Sequence, residues 1–252
     1  MTVTGSFSAG EVAAVRAAAG GLAVVERSEL SRWTHLPLCV LDAVFSIGVR
    51  YGGTKKVCHR FADYAELPDP VLLSAAADQV IGTAREVPVD VLADLGNHLT
   101  PERVAGEVLG NRGRTSTRGG ILKADAALRY ARILAGAGVH TLGDVAALLH
   151  DTDRLPTVEQ NLRAVPGNGA HDIRLNYLWM VAGDDQHIKP DRMILRWLAA
   201  QLGHPVTTAA ATLLVTDVAG QLGHTPWALD HAIWRAQSGR PRSTAKPPNS
   251  AS

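Results

Sequence analysis

Cysteine is nearly absent from this 252-residue chain: Cys39 and Cys58 are the only two, and neither has another Cys or a His at metal-ligand spacing. That scarcity excludes a disulfide-stapled scaffold and argues against a zinc site or an iron–sulfur cluster. Aromatic residues are few, at 5%, while Ala, Gly and Leu abound, a balance that leans toward helix. Charge of one sign is not in excess, because 25 Lys and Arg against 24 Asp and Glu leave only +1. As a total it demands neither a polyanion nor an acidic membrane surface. Long apolar runs are missing too. No window reaches the ~18 residues of a membrane span, and the first twenty residues have no basic stretch leading into an apolar one, so a soluble, cytoplasmic chain is expected. What is present, 46% hydrophobic and 19% charged residues, is the composition of a globular protein. The length suits one large core or two smaller halves sharing a cleft.

Charge is local rather than absent. Arg50, Lys55, Lys56 and Arg60 stand without an acid between 43 and 62, and Arg112, Arg114, Arg118 and Lys123 do so between 108 and 124. Between 61 and 100 seven acids face Arg85 alone, a stretch expected to point to solvent away from any polyanion. After Ile233 a basic, Pro- and Ser-rich tail begins, and 236–252 reads as disordered. Elsewhere apolar residues recur at three- and four-residue spacing, which predicts an almost wholly helical chain. Leu38 to Val49 reads as a buried helix, interrupted at Gly52-Gly53 before Thr54 to Tyr64 continues. Ile121 to Ala135 reads as an amphipathic helix stopped by Gly136 to Gly138. The echo QLGHP at 201–205 and QLGHT at 221–225 reads as two helices ending alike at Gly203 and Gly223. NRGRTSTRGG, 111–120, is a flexible basic loop.

The informative stretch runs from Leu162 to Gly203. A helix is followed by Pro166-Gly167-Asn168-Gly169 and a second helix from about Ala170, whose free N–H groups point into the turn. Such a turn suits a phosphate, and equally it is a common helix connection. Some twenty residues on, Lys189-Pro190 place Asp191 at a helix start, where a plain N-cap is the simpler account.

Together these residues resemble the helix-hairpin-helix DNA glycosylase superfamily, the group of endonuclease III and the 3-methyladenine glycosylases. Val165-Pro166-Gly167-Asn168-Gly169 matches the family's apolar-Pro-Gly-apolar-Gly hairpin, with Asn168 in an apolar place, and Asp191 matches its essential aspartate. LPLCVLDAVFSIGVRYGGTKKVCHRFADY, 36–64, resembles the family's early core helix and the next one. The resemblance implies an all-α fold over 1–235, two helical lobes with a cleft between them and the hairpin at 165–170. It implies a monomer acting on double-stranded DNA that carries a modified base. Bifunctional members have a Schiff-base lysine where this chain has His171, so strand cutting by β-elimination is not expected. The four-cysteine cluster is missing, in line with the cysteine count, and the glutamine that often ends the early helix is replaced around Ser46-Ile47-Gly48. No cofactor is expected beyond a monovalent cation at the hairpin.

On that resemblance Asp191 is the catalytic carboxylate beneath a sugar that turns cationic as its base departs. Gly167, Asn168, Gly169 and His171 would hold a phosphate, and Lys189 is a further DNA contact. His171 reads equally as a surface residue. Arg112, Arg114, Arg118 and Arg50 suit phosphate contacts or a solvated surface, Tyr51 suits a wedge into the duplex, and Tyr177 and Trp179 suit core packing. Ten histidines include one helical pair, His224 and His231, without a third metal ligand. Two alternatives stand beside the enzyme: a catalytically silent DNA-binding protein that keeps the hairpin, and a helical protein without a nucleic-acid role.

Overall fold

The computed structural model describes residues 7–47, 51–168 and 172–238. Arg50, Gly169 and His171, the side chain of Tyr51, and the tail from 239 lie outside them, so the expectations on these positions are neither met nor refused. Among the described residues the chain is mostly helical, with one two-stranded ribbon and an isolated bridge between Arg114 and Leu122. In order come α1 (Ala9–Gly20), β1 (Ser31–Trp33), α2 (Leu36–Phe45), α3 (Tyr51–Tyr64), β2 (Val71–Leu73) and α4 (Ser74–Ala77). Then come α5 (Asp90–His98), α6 (Pro101–Arg103) with a wide turn over Val104–Val108, α7 (Lys123–Gly136), α8 (Leu142–Leu149) and α9 (Leu155–Ala164). The last four are α10 (Ile173–Ala182), α11 (Arg192–Leu202), α12 (Thr208–Gln221) and α13 (Pro226–Ser238). β1 and β2 pair antiparallel, with Arg32 opposite Leu72. No helix among the described residues is long and apolar enough to cross a membrane.

Two hydrophobic cores form. The larger gathers α2, α3, α5 and α7 to α10 around Leu38, Leu41, Phe45, Phe61, Leu128 and Trp179. Every residue of α2 is buried, because α3, α7 and α10 cover it on different sides. The smaller core joins α1 to α11, α12 and α13 through Val15, Ile194, Trp197, Leu214, Val218 and Ile233. The first helix therefore packs on the last three, and the smaller core is discontinuous in sequence. Met180, Trp227 and Ala228 form a third cluster between the two. Arg27 clasps the same place: it donates to Met180 O at 3.0 Å and Asp184 O at 2.7 Å, pairs with Asp185 at 2.6 Å, and stacks 4.1 Å above the Trp227 ring.

Helix ends follow the sequence where short-range chemistry sets them. α11 and α12 stop at the two QLGH echoes, with Gly203 at φ 77° and Gly223 at φ 74°. Four boundaries and one surface differ from expectation. α2 ends at Phe45, since Ser46 caps it, rather than running to Val49. α3 begins at Tyr51 and takes Gly52 and Gly53 into its first turn. α7 runs Lys123–Gly136. α13 runs to Ser238, into the tail expected to be disordered from 236, while the expected helix start near Ala170 lies outside the described residues. In the acidic stretch Glu86 is buried instead of solvated: its carboxylate accepts from Gly82 N at 2.7 Å and from Leu142 N, which brings it to the start of α8.

The turn between α9 and α10 is locked from inside. Arg174, 1% exposed, donates to Val165 O at 2.6 Å, Pro166 O at 3.0 Å and Tyr130 Oη at 2.8 Å. Gly167 has φ 89°, and a Cβ built there would collide with the Thr115 side chain. The close approach that this glycine allows is thus made by the 111–120 loop of the same chain. Gly167→Ala combines that collision with a strained backbone and is expected to cost roughly 1–3 kcal/mol of unfolding free energy. Urea denaturation measures it, and a loss below about 0.5 kcal/mol would show that the loop yields freely.

Candidate functional site

A cavity of about 890 Å³ opens between the two cores. The larger core supplies α2, α3, β1 and α10 to its walls, and the smaller one supplies the start of α11 and one face of α13. Asp191 stands in the wall at the N-cap of α11, where its Oδ1 accepts from Met193 N at 2.7 Å. Capping and cavity are both true of it: the helix N-terminus fixes the carboxylate and its dipole favours a negative charge there. The preceding residues form a tight bend, with Asp191 N donating to Lys189 O at 2.6 Å.

Lys189, expected among the DNA contacts, lies in the same wall. Its ammonium turns into the cavity, 3.1 Å from Ser46 Oγ and 3.7 Å from the centre of the Tyr177 ring, rather than outward to a phosphate. Burial lowers its pKa. Its backbone N–H donates to Asp230 Oδ1 at 3.2 Å. Asp230 is buried on α13, and burial, helped by the nearby charge of Asp191, pushes its carboxyl up to about 8. A third acid, Asp42 of α2, is buried in the same wall and accepts from Trp33 Nε1 at 2.7 Å and Tyr177 Oη at 3.3 Å. Behind it Lys123 closes the end of α2 through Phe45 O at 3.1 Å and Ile47 O at 2.7 Å. Its pKa is lowered to about 8, chiefly by burial and then by the neighbouring Lys189 charge.

One wall is aromatic. Trp227, His231 and Trp234, at positions i, i+4 and i+7 of α13, stack with centroids 5.2 Å and 5.9 Å apart. Burial lowers the pKa of His231, which favours the neutral ring. His224 lies elsewhere, near Glu26, so the histidine pair seen in the sequence does not converge. Among the described residues no group of three or more metal-ligating side chains occurs, and both thiols are buried and free.

The hairpin and the basic loop lie together, outside the cavity. Asn168 is 8% exposed, and its amide is turned inward to Tyr130 Oη at 3.3 Å and Asp172 Oδ1 at 2.6 Å, so its side chain is structural rather than a phosphate contact. Arg112, Arg114 and Arg118 are exposed on a loop that touches Gly167 through Thr115. That loop is hydrogen-bonded: Thr115 N donates to Ile121 O at 2.9 Å, Lys123 N to Gly113 O at 2.8 Å, and Arg114 Nη1 to Gly120 O at 2.7 Å. Trp179 is core, as expected, with Nε1 donating to Glu159 at 3.0 Å.

Of the residues that sequence reasoning missed, two groups left a signal. Asp42 is a lone acid in the apolar helix LPLCVLDAVF, and Trp227, His231 and Trp234 share one helical face. Asp230 and the inward turn of Lys189 left none. A family model described as a domain of unknown function (DUF8548) matches residues 11–238. No curated protein and no solved structure matches the chain.

Proposed function

The chain belongs to the DUF8548 family, and we propose that it is a monofunctional DNA glycosylase that hydrolyses the N-glycosidic bond of a modified base turned out of the duplex. The observation that carries this reading is the place of Asp191, a carboxylate fixed by a helix N-terminus in the wall of a cavity between two helical cores. The order of parts supports it: helix, Pro-Gly hairpin and helix come first, then the capping aspartate, with the first helix of the chain packed on the last three. These parts resemble those of the helix-hairpin-helix glycosylases.

A base leaving C1′ makes the sugar cationic. Asp191 would stabilise that charge and orient the attacking water. A cavity of about 890 Å³ has room for a flipped nucleobase. Tyr177 and the α13 ladder line it with aromatic side chains, and Trp33 fixes the Asp42 carboxylate at its edge. Arg112, Arg114 and Arg118 would bind phosphates outside, giving affinity that weakens with salt and does not select sequence. A one-sided basic surface on a nearly neutral protein is what this needs.

The test is a panel of duplexes, each with one modified base, read as abasic sites by alkaline cleavage. The expected result is base release from at least one, with strand breaks only after alkali. Salt-sensitive binding without release from any duplex would favour the catalytically silent DNA-binding alternative. Neither binding nor release would overturn both.

A further inference from the structure

We propose that Asp230 is the general acid of this site, handing a proton to the departing base from α13, beside the segment that leads into α11. The inference rests on the glycosylase reading above and assigns a second carboxyl to its chemistry. Asp230 is 5% exposed, yet it belongs to the wall of the cavity that holds Asp191. Only one of its oxygens is engaged among the described residues: Oδ1 accepts from Lys189 N, 41 positions away in sequence, while Oδ2 makes no hydrogen bond there. A buried carboxyl in a cavity wall, with one oxygen held by a backbone N–H and the other without a hydrogen bond among the described residues, is arranged to carry and give up a proton.

Its electrostatic surroundings support that state. From the segment leading into α11 come Asp191, which disfavours a second negative charge, and Lys189, whose backbone N–H and ammonium favour one, less strongly than burial and Asp191 disfavour it. Asp42 of α2 adds negative charge to the same cavity, and Arg27 sits over Trp227 at one end of the ladder. On α13 itself His231 is held in the stack, and Arg196 of α11 is tied to Gln237 at 3.0 Å. From α12 the one acid, Asp217, is exposed. Burial is the largest influence, and the carboxyl sits at about 8. At neutral pH Asp230 holds its proton, so two acids in one cavity take different roles, Asp230 giving a proton and Asp191 facing the sugar.

The step balances. The C1′–N bond breaks and its electron pair stays with the base, whose ring nitrogen takes the Asp230 proton. The oxygen of water bonds to C1′, and the proton it sheds passes to the carboxylate pair, which returns Asp230 to its acid form. The products are the free base and the abasic sugar.

Asp230→Asn keeps an oxygen for the Lys189 N–H and removes the acidic proton. Release of hypoxanthine, a neutral base that needs a proton to depart, is compared with release of 7-methylguanine, already cationic and leaving as a neutral molecule, in single-turnover assays on duplexes. The expected result is about a hundredfold slowing for hypoxanthine and a loss of tenfold or less for 7-methylguanine. The wild-type hypoxanthine rate should also fall above about pH 8, a limb absent from the variant. Equal slowing of both bases would reduce Asp230 to a positioning residue and overturn the proposal, as would an unchanged hypoxanthine rate or wild-type release of the cationic base alone. Release of neither base counts against the glycosylase reading itself. In that case carbon-13 titration of the Asp230 carboxyl in the intact protein still decides its state: titration near 8, falling in Asp191→Asn, supports the acid, and titration in the ordinary carboxylate range overturns it.

Discussion

Asp191→Asn is expected to slow base release about a thousandfold while leaving the fold and DNA affinity in place. Asparagine caps a helix as well as aspartate does, so the bond to Met193 N and the first turn of α11 survive the change. What disappears is the negative charge facing the cavity, and with it the stabilisation of a cationic sugar. Asp191→Ala is the contrasting variant: it also removes the cap and should cost a further ~1 kcal/mol of stability. Single-turnover release on whichever duplex the panel identifies, set beside thermal melting and binding titration, separates the two effects. An Asn variant within tenfold of wild type would remove Asp191 from the chemistry and return it to capping alone.

Arg174→Met should be the most damaging change away from the cavity, costing about 3 kcal/mol of unfolding free energy. Arg174 is buried without a carboxylate partner among the described residues, and burial lowers its pKa, so its charge is a burden on the fold. Replacing a buried charge by a hydrophobe of similar size can for that reason be nearly neutral. Here the balance goes the other way. The guanidinium serves three acceptors at once, Val165 O, Pro166 O and Tyr130 Oη, and lies 4.4 Å over the Tyr130 ring. Methionine would leave the buried Val165 carbonyl and the buried Tyr130 hydroxyl without this partner, at about 1–3 kcal/mol each, and the part-buried Pro166 carbonyl without its donor. Urea denaturation reads the loss, and a change below about 1 kcal/mol would mean that water replaces the guanidinium. Weaker duplex binding should accompany it, since the turn and the loop carrying Arg112, Arg114 and Arg118 pack on each other.

Much of the site was legible in the chain wherever chemistry within a few residues decides the outcome. Pro190 followed by Asp191 before an apolar period specifies a capped helix start. Gly203 and Gly223 specify two helix ends, and Pro166-Gly167 specifies a turn. These are local hydrogen-bond and dihedral requirements, satisfied by neighbours. The direction a polar side chain faces is not of that kind. Asn168 reads as a turn residue open to a ligand, yet its amide meets Tyr130, which α7 brings up behind it. Lys189 reads as basic surface, yet Tyr177 and Ser46 receive it. Glu86 sits in a stretch of acids and alone among them is buried, because Gly82 and the start of α8 offer N–H donors.

The sequence by itself determined an almost wholly helical protein, the turn at 165–168 and the aspartate that opens α11, since each depends on apolar spacing, glycine conformations or capping within a turn or two. The tertiary structure decided that α1 joins α11 to α13 in a second core. It also decided that Asp42, Lys189, Asp191 and Asp230 meet in one cavity. The physical reason is distance along the chain. Asp42 and Asp230 stand nearly two hundred residues apart, and only the burial of two apolar cores against each other sets which of their neighbours they will face.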